Sequence, residues 1–119
     1  MPDAGFPVEM VSGVPVVVTP EEVDITNAAR LRGALLEAAA ASPGTLVVDL
    51  SQTTFCDTAG IHALVSAYKQ AQAEGGELRL VIATPTVMRI LTLTGLDNVI
   101  PYFGSREEAL AAASGIDGG

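Results

Sequence analysis

The segment from Thr45 to Leu50 constrains the fold more than any other part of this chain. It is continuously apolar apart from Asp49, and such a run is typical of a strand buried on both faces, usually in a parallel sheet. A polar loop follows, and then a helical pattern that runs from about Thr58 to Ala73 and stops at Gly75-Gly76. A buried strand that leads through a short loop into a helix indicates a fold of alternating strands and helices.

The rest of the chain continues this alternation. Four further strands are predicted, at Val8–Val11, Pro15–Val18, Glu77–Ala83 and Val99–Phe103. Three further helices are predicted: one capped by Thr26 or Asn27 and running to about Ala41, one from Pro85 to Thr94, and one that opens with the capping box Ser105 to Glu108. This order predicts an α/β fold in which a mixed, mostly parallel sheet of about five strands packs against about four helices. We expect a single domain over residues 1–119, with its core at about residues 8–113.

The charge of the chain limits the partners that it can bind. Fourteen acidic residues against six basic ones give a net charge of -8. Such a surface repels phosphate groups, so we expect neither a nucleic acid nor a membrane among its partners. No apolar run is long enough to cross a bilayer, and residues 1–7 lack the basic and apolar regions of a signal peptide. These observations favour a cytoplasmic protein, and we expect a monomer.

The reactive side chains do not form a catalytic pattern. Cys56 and His62 are the only residues of their types, which excludes an internal disulfide and argues against a zinc enzyme. A nucleophilic Cys–His pair needs contact and an orienting third group, and a lone cysteine is more often part of the core. The acidic loop Glu21 to Asp24 is interpreted as a solvated turn rather than as paired catalytic carboxylates. Because phosphate-binding loops and nucleophile elbows are also missing from the sequence, we predict no enzyme activity, no cofactor and no bound metal.

Thr58 is the strongest candidate for a regulatory residue. It stands with Asp57 at the start of a predicted helix, where backbone N–H groups and the helix dipole favour an anion such as a phosphate. The same residue types equally suit a helix cap supplied by Asp57 or by Thr58. Ala59 and Gly60 are small, so we expect their N–H groups to be open to an approaching partner. Gly60 costs about 1 kcal/mol relative to alanine in a helix, which indicates close approach or tight packing there.

The run Asp49-Leu-Ser-x-x-x-Phe-x-Asp-Thr-x-Gly-Ile61 resembles the signature of the STAS domain, a family named for sulfate transporters and anti-sigma factor antagonists. Three other stretches match the family in order: Val23-Asp24-Ile25, Gly75-Gly76 and Thr94-Gly95-Leu96. The resemblance covers the chain from about Val8 to Ala113. It implies the STAS fold and a role as a bacterial anti-sigma factor antagonist.

The resemblance also implies a phosphorylation switch. In this family the residue after the motif aspartate is phosphorylated by an anti-sigma factor with serine/threonine kinase activity, which uses ATP and magnesium, and a phosphatase reverses the modification. By position that residue is Thr58, and the unphosphorylated form binds the anti-sigma factor and releases the sigma factor. The partner-binding residues expected on this basis are Asp24, Asp57, Thr58, Ala59, Gly60 and His62.

Two departures from the family pattern concern this surface. The loop before Asp24 reads Pro20-Glu21-Glu22 where many antagonists have Gly-Glu, and Thr58 replaces the commoner serine. Two alternative functions stay open. The chain is alternatively a STAS docking module that is never phosphorylated, or a STAS domain that binds a nucleotide or another small ligand.

Overall fold

The apolar segment after residue 44 forms the middle strand of a five-stranded sheet. The computed structural model describes residues 6–41 and 44–114, and for residues 112–114 the backbone alone. The expectation that the chain has no signal peptide rests on residues 1–7, most of which lie outside these ranges. The strands are β1 Val8–Val11, β2 Val14–Val18, β3 Glu22–Val23, β4 Thr45–Asp49, β5 Phe55–Cys56, β6 Glu77–Val81 and β7 Tyr102–Phe103. The α-helices are α1 Ala28–Ala41, α2 Thr58–Ala73, α3 Pro85–Thr94 and α4 Arg106–Ser114, and a 3-10 turn lies at Leu96–Asn98.

The sheet has the strand order β1-β2-β4-β6-β7. β1 and β2 form an antiparallel hairpin, whereas β2, β4, β6 and β7 pair in parallel. The prediction of a mixed, mostly parallel sheet with four helices is therefore confirmed. Parallel strands need crossover helices, and these helices cover the sheet and bury β4 on both faces.

The two faces of the sheet carry cores of different size. Alternate sheet residues such as Val48 and Leu80 pack against α1, α2 and α3 in the main core, with Leu35 and Leu64 contributed by the helices. The intervening sheet residues Val16, Val47 and Val81 form a small second cluster with Ala109 of α4. The face of the sheet that is covered by three helices therefore holds the larger core.

Helix α4 is fastened to the sheet by a charged contact. Arg106 donates to Asp49 through Nε at 3.0 Å and Nη2 at 2.7 Å, and its Nη1 donates to Glu9 at 2.7 Å. The Asp49 side chain is only 6% exposed. Burial raises the pKa of Asp49, but the hydrogen bonds from Ser51 and the charge of Arg106 outweigh it and leave the pKa below its ordinary value.

Several element boundaries differ from the predictions. The strand predicted over Glu77–Ala83 ends at Val81, and the one predicted over Val99–Phe103 is reduced to β7 because the chain is still turning after Leu96–Asn98. The predicted capping box at α4 is confirmed in one half, since the Ser105 hydroxyl accepts from the Glu108 N–H at 3.1 Å; in the other half, the Glu108 carboxylate accepts from the N–H of Gly104 rather than from that of Ser105. None of these differences changes the order of the sheet.

The buried face of α2 differs in part from the predicted one. The helical spacing of Ile61, Leu64, Val65, Tyr68 and Gln72 predicts an apolar stripe. Ile61 and Leu64 are buried as predicted, whereas Val65 and Tyr68 are half-buried and Gln72 is exposed. The residues that are buried are mostly small, namely Gly60, Ile61, Ala63, Leu64, Ala67 and Ala71. Small residues let α2 approach its neighbours closely, which a search for large apolar side chains does not detect.

Candidate functional site

A two-residue parallel ribbon brings the acidic loop beside the start of α2. Strand β3 pairs with β5, with Val23 opposite Cys56, and the N–H of Asp57 donates to the Val23 carbonyl at 3.1 Å. Asp24 and Asp57 directly follow the paired residues, and neighbouring strands lie about 4.8 Å apart. The ribbon therefore places these two acidic residues side by side, as the family resemblance implied, within a segment that the sequence predicted as a loop.

Asp57 is the N-cap of α2. Its backbone is extended (φ -95°, ψ -173°), and its Oδ1 accepts hydrogen bonds from the N–H groups of Ala59 at 2.9 Å and Gly60 at 3.2 Å. The expectation that these two N–H groups are open to a partner is therefore wrong, because the cap already occupies them. Of the two cap assignments that the sequence left open, the structure selects Asp57.

Thr58 is consequently released from any capping role. It is the first residue of α2, its side chain is exposed, and its hydroxyl makes no hydrogen bond within the described residues. A hydroxyl at a solvent-exposed helix start, without a structural partner, is accessible to a modifying enzyme.

Gly60 faces the interior instead of the surface. A Cβ at this position would lie 2.6 Å from the Cys56 Sγ and 2.7 Å from the Val23 Cγ1. The glycine therefore allows α2 to sit directly on the β3–β5 ribbon, and tight packing is the reason for its place in a helix. Because Gly60 is buried, it can affect the expected partner-binding surface only through the position that it allows α2 to take.

The loop around Asp24 is held by its own hydrogen bonds. The Asp24 carboxylate accepts from the N–H and the hydroxyl of Thr26, and the Asp24 N–H donates to the Asn27 side chain at 2.9 Å. The Asn27 amide also donates to the Glu22 carbonyl at 2.9 Å. The side-chain and backbone hydrogen bonds from Thr26 lower the pKa of Asp24, so this exposed carboxylate is charged at neutral pH.

An apolar groove lies next to Thr58, and sequence reasoning missed it. It has a volume of about 340 Å³ and lies between the start of α2 and α3. Phe55 and Leu93 are 45% and 74% exposed at its edges. The residues that line the groove are Phe55, Cys56, Asp57, Thr58, Ile61, Ile90, Leu93 and Thr94. These residues come from two segments that are distant in the sequence, residues 55–61 and 90–94. They come together only because of where α3 packs, so no local pattern in the sequence predicts the groove.

Cys56 and His62 do not form a nucleophilic pair. The Cys56 side chain is buried and its Sγ lies 3.7 Å from the Asp57 carbonyl, whereas His62 is exposed on α2. Burial, and to a lesser degree the negative charge of Asp57, raise the pKa of the Cys56 thiol to about 11. A thiol with this pKa stays protonated at neutral pH and is a poor nucleophile.

Within the ranges 6–41 and 44–114, no helix combines the length and the apolar character that a bilayer crossing needs. In the same part of the chain, no three His, Cys, Asp or Glu side chains come together as a metal site.

Comparisons with known proteins agree on the family. The STAS domain model matches residues 6–109. The chain is 31% identical to the anti-sigma-F factor antagonist RsfB of Mycobacterium tuberculosis over 104 residues, which cover 87% of this chain and 84% of that protein. It is 34% identical to an anti-sigma factor antagonist of Mycobacterium paratuberculosis of known structure, with a TM-score of 0.84 and 92% of each chain covered.

Other relatives are matched over less of their length. The aligned region spans 62% of a candidate anti-anti-sigma factor of Mycobacterium tuberculosis, at 34% identity, and 75% of this chain. Because the STAS domain model matches residues 6–109, which are most of the chain, the chain belongs to the STAS domain family.

Proposed function

We propose that this protein is an anti-sigma factor antagonist whose binding to an anti-sigma factor is switched off by phosphorylation of Thr58. Relatives more than 30% identical to this chain are named as anti-sigma factor antagonists, which supports the first part of the proposal. The observation that carries the proposal is the position of Thr58, which is exposed at the rim of the apolar groove while Asp57 performs the capping.

The unphosphorylated surface suits a protein partner. The groove offers exposed apolar area at Phe55 and Leu93, and Asp24 and Asp57 add negative charge along one side. An interface of this type pairs a buried apolar anchor with a charged rim. The partner that fits it is a domain with an apolar side chain for the groove and basic residues facing the two aspartates.

A phosphate on Thr58 would disrupt this fit. It adds a charge of about -1.5 to -2 beside two carboxylates, and the nearest helix N–H groups are already bonded to Asp57. Like charges brought together across an interface cost several kcal/mol, and each 1.4 kcal/mol changes the affinity about tenfold. The modification is therefore large enough to act as a switch.

In this proposal, the partner proteins catalyse both steps of the switch. An anti-sigma factor with serine/threonine kinase activity supplies the ATP and magnesium site and transfers the γ-phosphoryl group to the Thr58 oxygen. A phosphatase removes it. The antagonist itself needs no cofactor, because it contributes only the accepting hydroxyl and the contact surface.

Incubation with a candidate anti-sigma kinase, ATP and magnesium tests the proposal. We expect one phosphate on Thr58 by mass spectrometry, none on Thr58→Ala, and loss of kinase binding at least tenfold on phosphorylation. Thr86→Ala is the matched control, since Thr86 is also an exposed threonine in the first turn of a helix. Phosphate mainly at another residue, or equal binding before and after modification, would contradict the switch and favour a docking module.

A further inference from the structure

A second depression borders the start of α2 on the helix face next to the one that carries the apolar groove. It has a volume of about 320 Å³ and lies between α1 and α2. Its lining residues are Ala28, Ala29, Arg32, Ala59, His62, Ala63 and Ser66. The alanines bring the two helices close together, and the polar side chains of Arg32 and His62 stand at the solvent side.

Among the described residues, neither Arg32 nor His62 has an acidic partner. Two other arginines are used in salt bridges, Arg79 with Glu77 and Arg106 with Asp49 and Glu9. In the part of the chain that the structure describes, Arg32 and His62 make neither a salt bridge nor a hydrogen bond. In a chain with a net charge of -8, two adjacent side chains that can donate hydrogen bonds and have no acidic partner are available for another anion.

The helix geometry directs His62 toward Thr58. Residues four apart on a helix are neighbours on one face, about 5–6 Å apart, and Thr58 and His62 are both exposed on α2. Side chains on a helix lean toward its N-terminus, so we expect the imidazole of His62 to extend over the turn that begins with Thr58. Arg32 of α1 lines the same depression as His62 and as Ala59, the residue after Thr58.

A phosphate on Thr58 needs such donors. The cap by Asp57 occupies the N–H groups of Ala59 and Gly60, so the usual anion site of a helix start is taken. We propose that Arg32 and His62 form a phosphate-binding pair that holds the phosphoryl group of Thr58 within the same chain. This inference rests on the proposed function, because it concerns the phosphorylated form. The pair defines one orientation for the phosphate, over the α1–α2 depression and beside the apolar groove.

The test uses full-length protein with phosphothreonine installed at position 58 by semisynthesis or codon reassignment, so that no kinase is needed. The second ionisation of the phosphate, with a pKa of about 6 in a free phosphothreonine, is followed by ³¹P NMR. We expect Arg32→Gln together with His62→Gln to raise this pKa by about one unit relative to the otherwise unchanged chain, since opposite charges nearby favour the dianion. We also expect the imidazole signal to move on phosphorylation, and His62 is the only histidine, so the signal needs no assignment.

Arg30→Gln is the matched control, because Arg30 is an exposed arginine of α1 outside the depression. It is expected to leave the phosphate pKa unchanged, and Arg32→Lys is expected to retain part of the effect. If the double variant misfolds, His62→Gln alone and the imidazole signal provide the measurement. Equal phosphate titrations in the parent and the folded variants, with no change in the imidazole signal, would overturn the pair. That outcome would leave the kinase experiment unaffected, whereas absence of kinase-dependent phosphorylation would leave this one unaffected.

Discussion

Two adjacent residues at the start of α2 have separate tasks. Asp57 accepts the N–H groups of the first turn and so fixes where the helix begins, while Thr58 presents a hydroxyl without an internal partner. The separation matters because a residue that is needed for the fold cannot be modified freely. In the proposed switch, phosphorylation changes the charge of Thr58 while the cap by Asp57 stays in place.

This division predicts different stability effects for the two positions. Asp57→Ala removes an N-cap and is expected to lower the free energy of unfolding by about 1 kcal/mol, whereas Asp57→Asn retains a good cap and changes it little. Thr58→Ala removes no hydrogen bond and is expected to stay within about 0.5 kcal/mol of the parent. Urea denaturation of the three variants measures these differences. A Thr58→Ala loss as large as that of Asp57→Ala would show that the hydroxyl is structural.

At the level of elements, helix α2 is seated on the β3–β5 ribbon through Gly60. The space for a Cβ is taken by the Cys56 Sγ at 2.6 Å and the Val23 Cγ1 at 2.7 Å. The contact joins the helix that carries Thr58 to the strand that leads into Asp24. A change in this packing would therefore move both parts of the proposed surface.

Replacing each of two helical glycines with alanine separates the effect of this packing on stability from the effect of helix propensity. Gly60→Ala is expected to destabilise the protein by about 1–3 kcal/mol, the cost of overpacking, although alanine is the better helix former. Gly33→Ala in α1 has nothing within 4 Å of the new Cβ and is expected to stabilise by about 0.5–1 kcal/mol. Thermal or urea unfolding gives both values. Stabilisation by Gly60→Ala would mean that the helix does not sit on the ribbon in solution.

The sequence predicted the elements with long or well-marked patterns. The bounds of α2 follow from the cap at Asp57 and the glycines after the helix, and β4 follows from its apolar run. The β3–β5 ribbon was missed because two residues per strand carry no periodicity. Thr58 could be proposed as a candidate site from its place at the start of a predicted helix, but the apolar groove could not be predicted, since Phe55 and Leu93 meet only through tertiary packing.

At the scale of the whole molecule, one buried carboxylate joins three elements. Asp49 at the end of β4 binds Arg106 at the start of α4, and Arg106 also binds Glu9 on the edge strand β1. The small second core lies beneath this contact. The single helix on that face thus depends on charge as well as on apolar packing.

The lowered pKa of Asp49 makes this contact sensitive to acid. Its stabilisation is fully present above the ordinary pKa of 3.8 and is lost as the pH falls through the lower value of the folded state. Arg106→Gln is expected to cost about 1–3 kcal/mol at neutral pH, since a buried charge loses its partner. It is also expected to move acid unfolding to higher pH, because the pKa of Asp49 loses the lowering effect of Arg106 while the opposing effect of burial remains. Urea midpoints measured from pH 7 to pH 2 check both effects. An unchanged pH profile in Arg106→Gln would contradict the assignment.

The β3–β5 ribbon has a consequence for how quickly a partner can be recognised. Because backbone hydrogen bonds already join the loop of Asp24 to the start of α2, we expect the free protein to present the complete proposed surface, with no folding of this loop on encounter. Association is then a single kinetic phase whose rate rises in proportion to partner concentration, without a plateau set by loop rearrangement. The conformational entropy that this chain loses on binding is then expected to come from exposed side chains such as Phe55 and Leu93 and not from ordering of the loop, in addition to the translational and rotational entropy that any association loses.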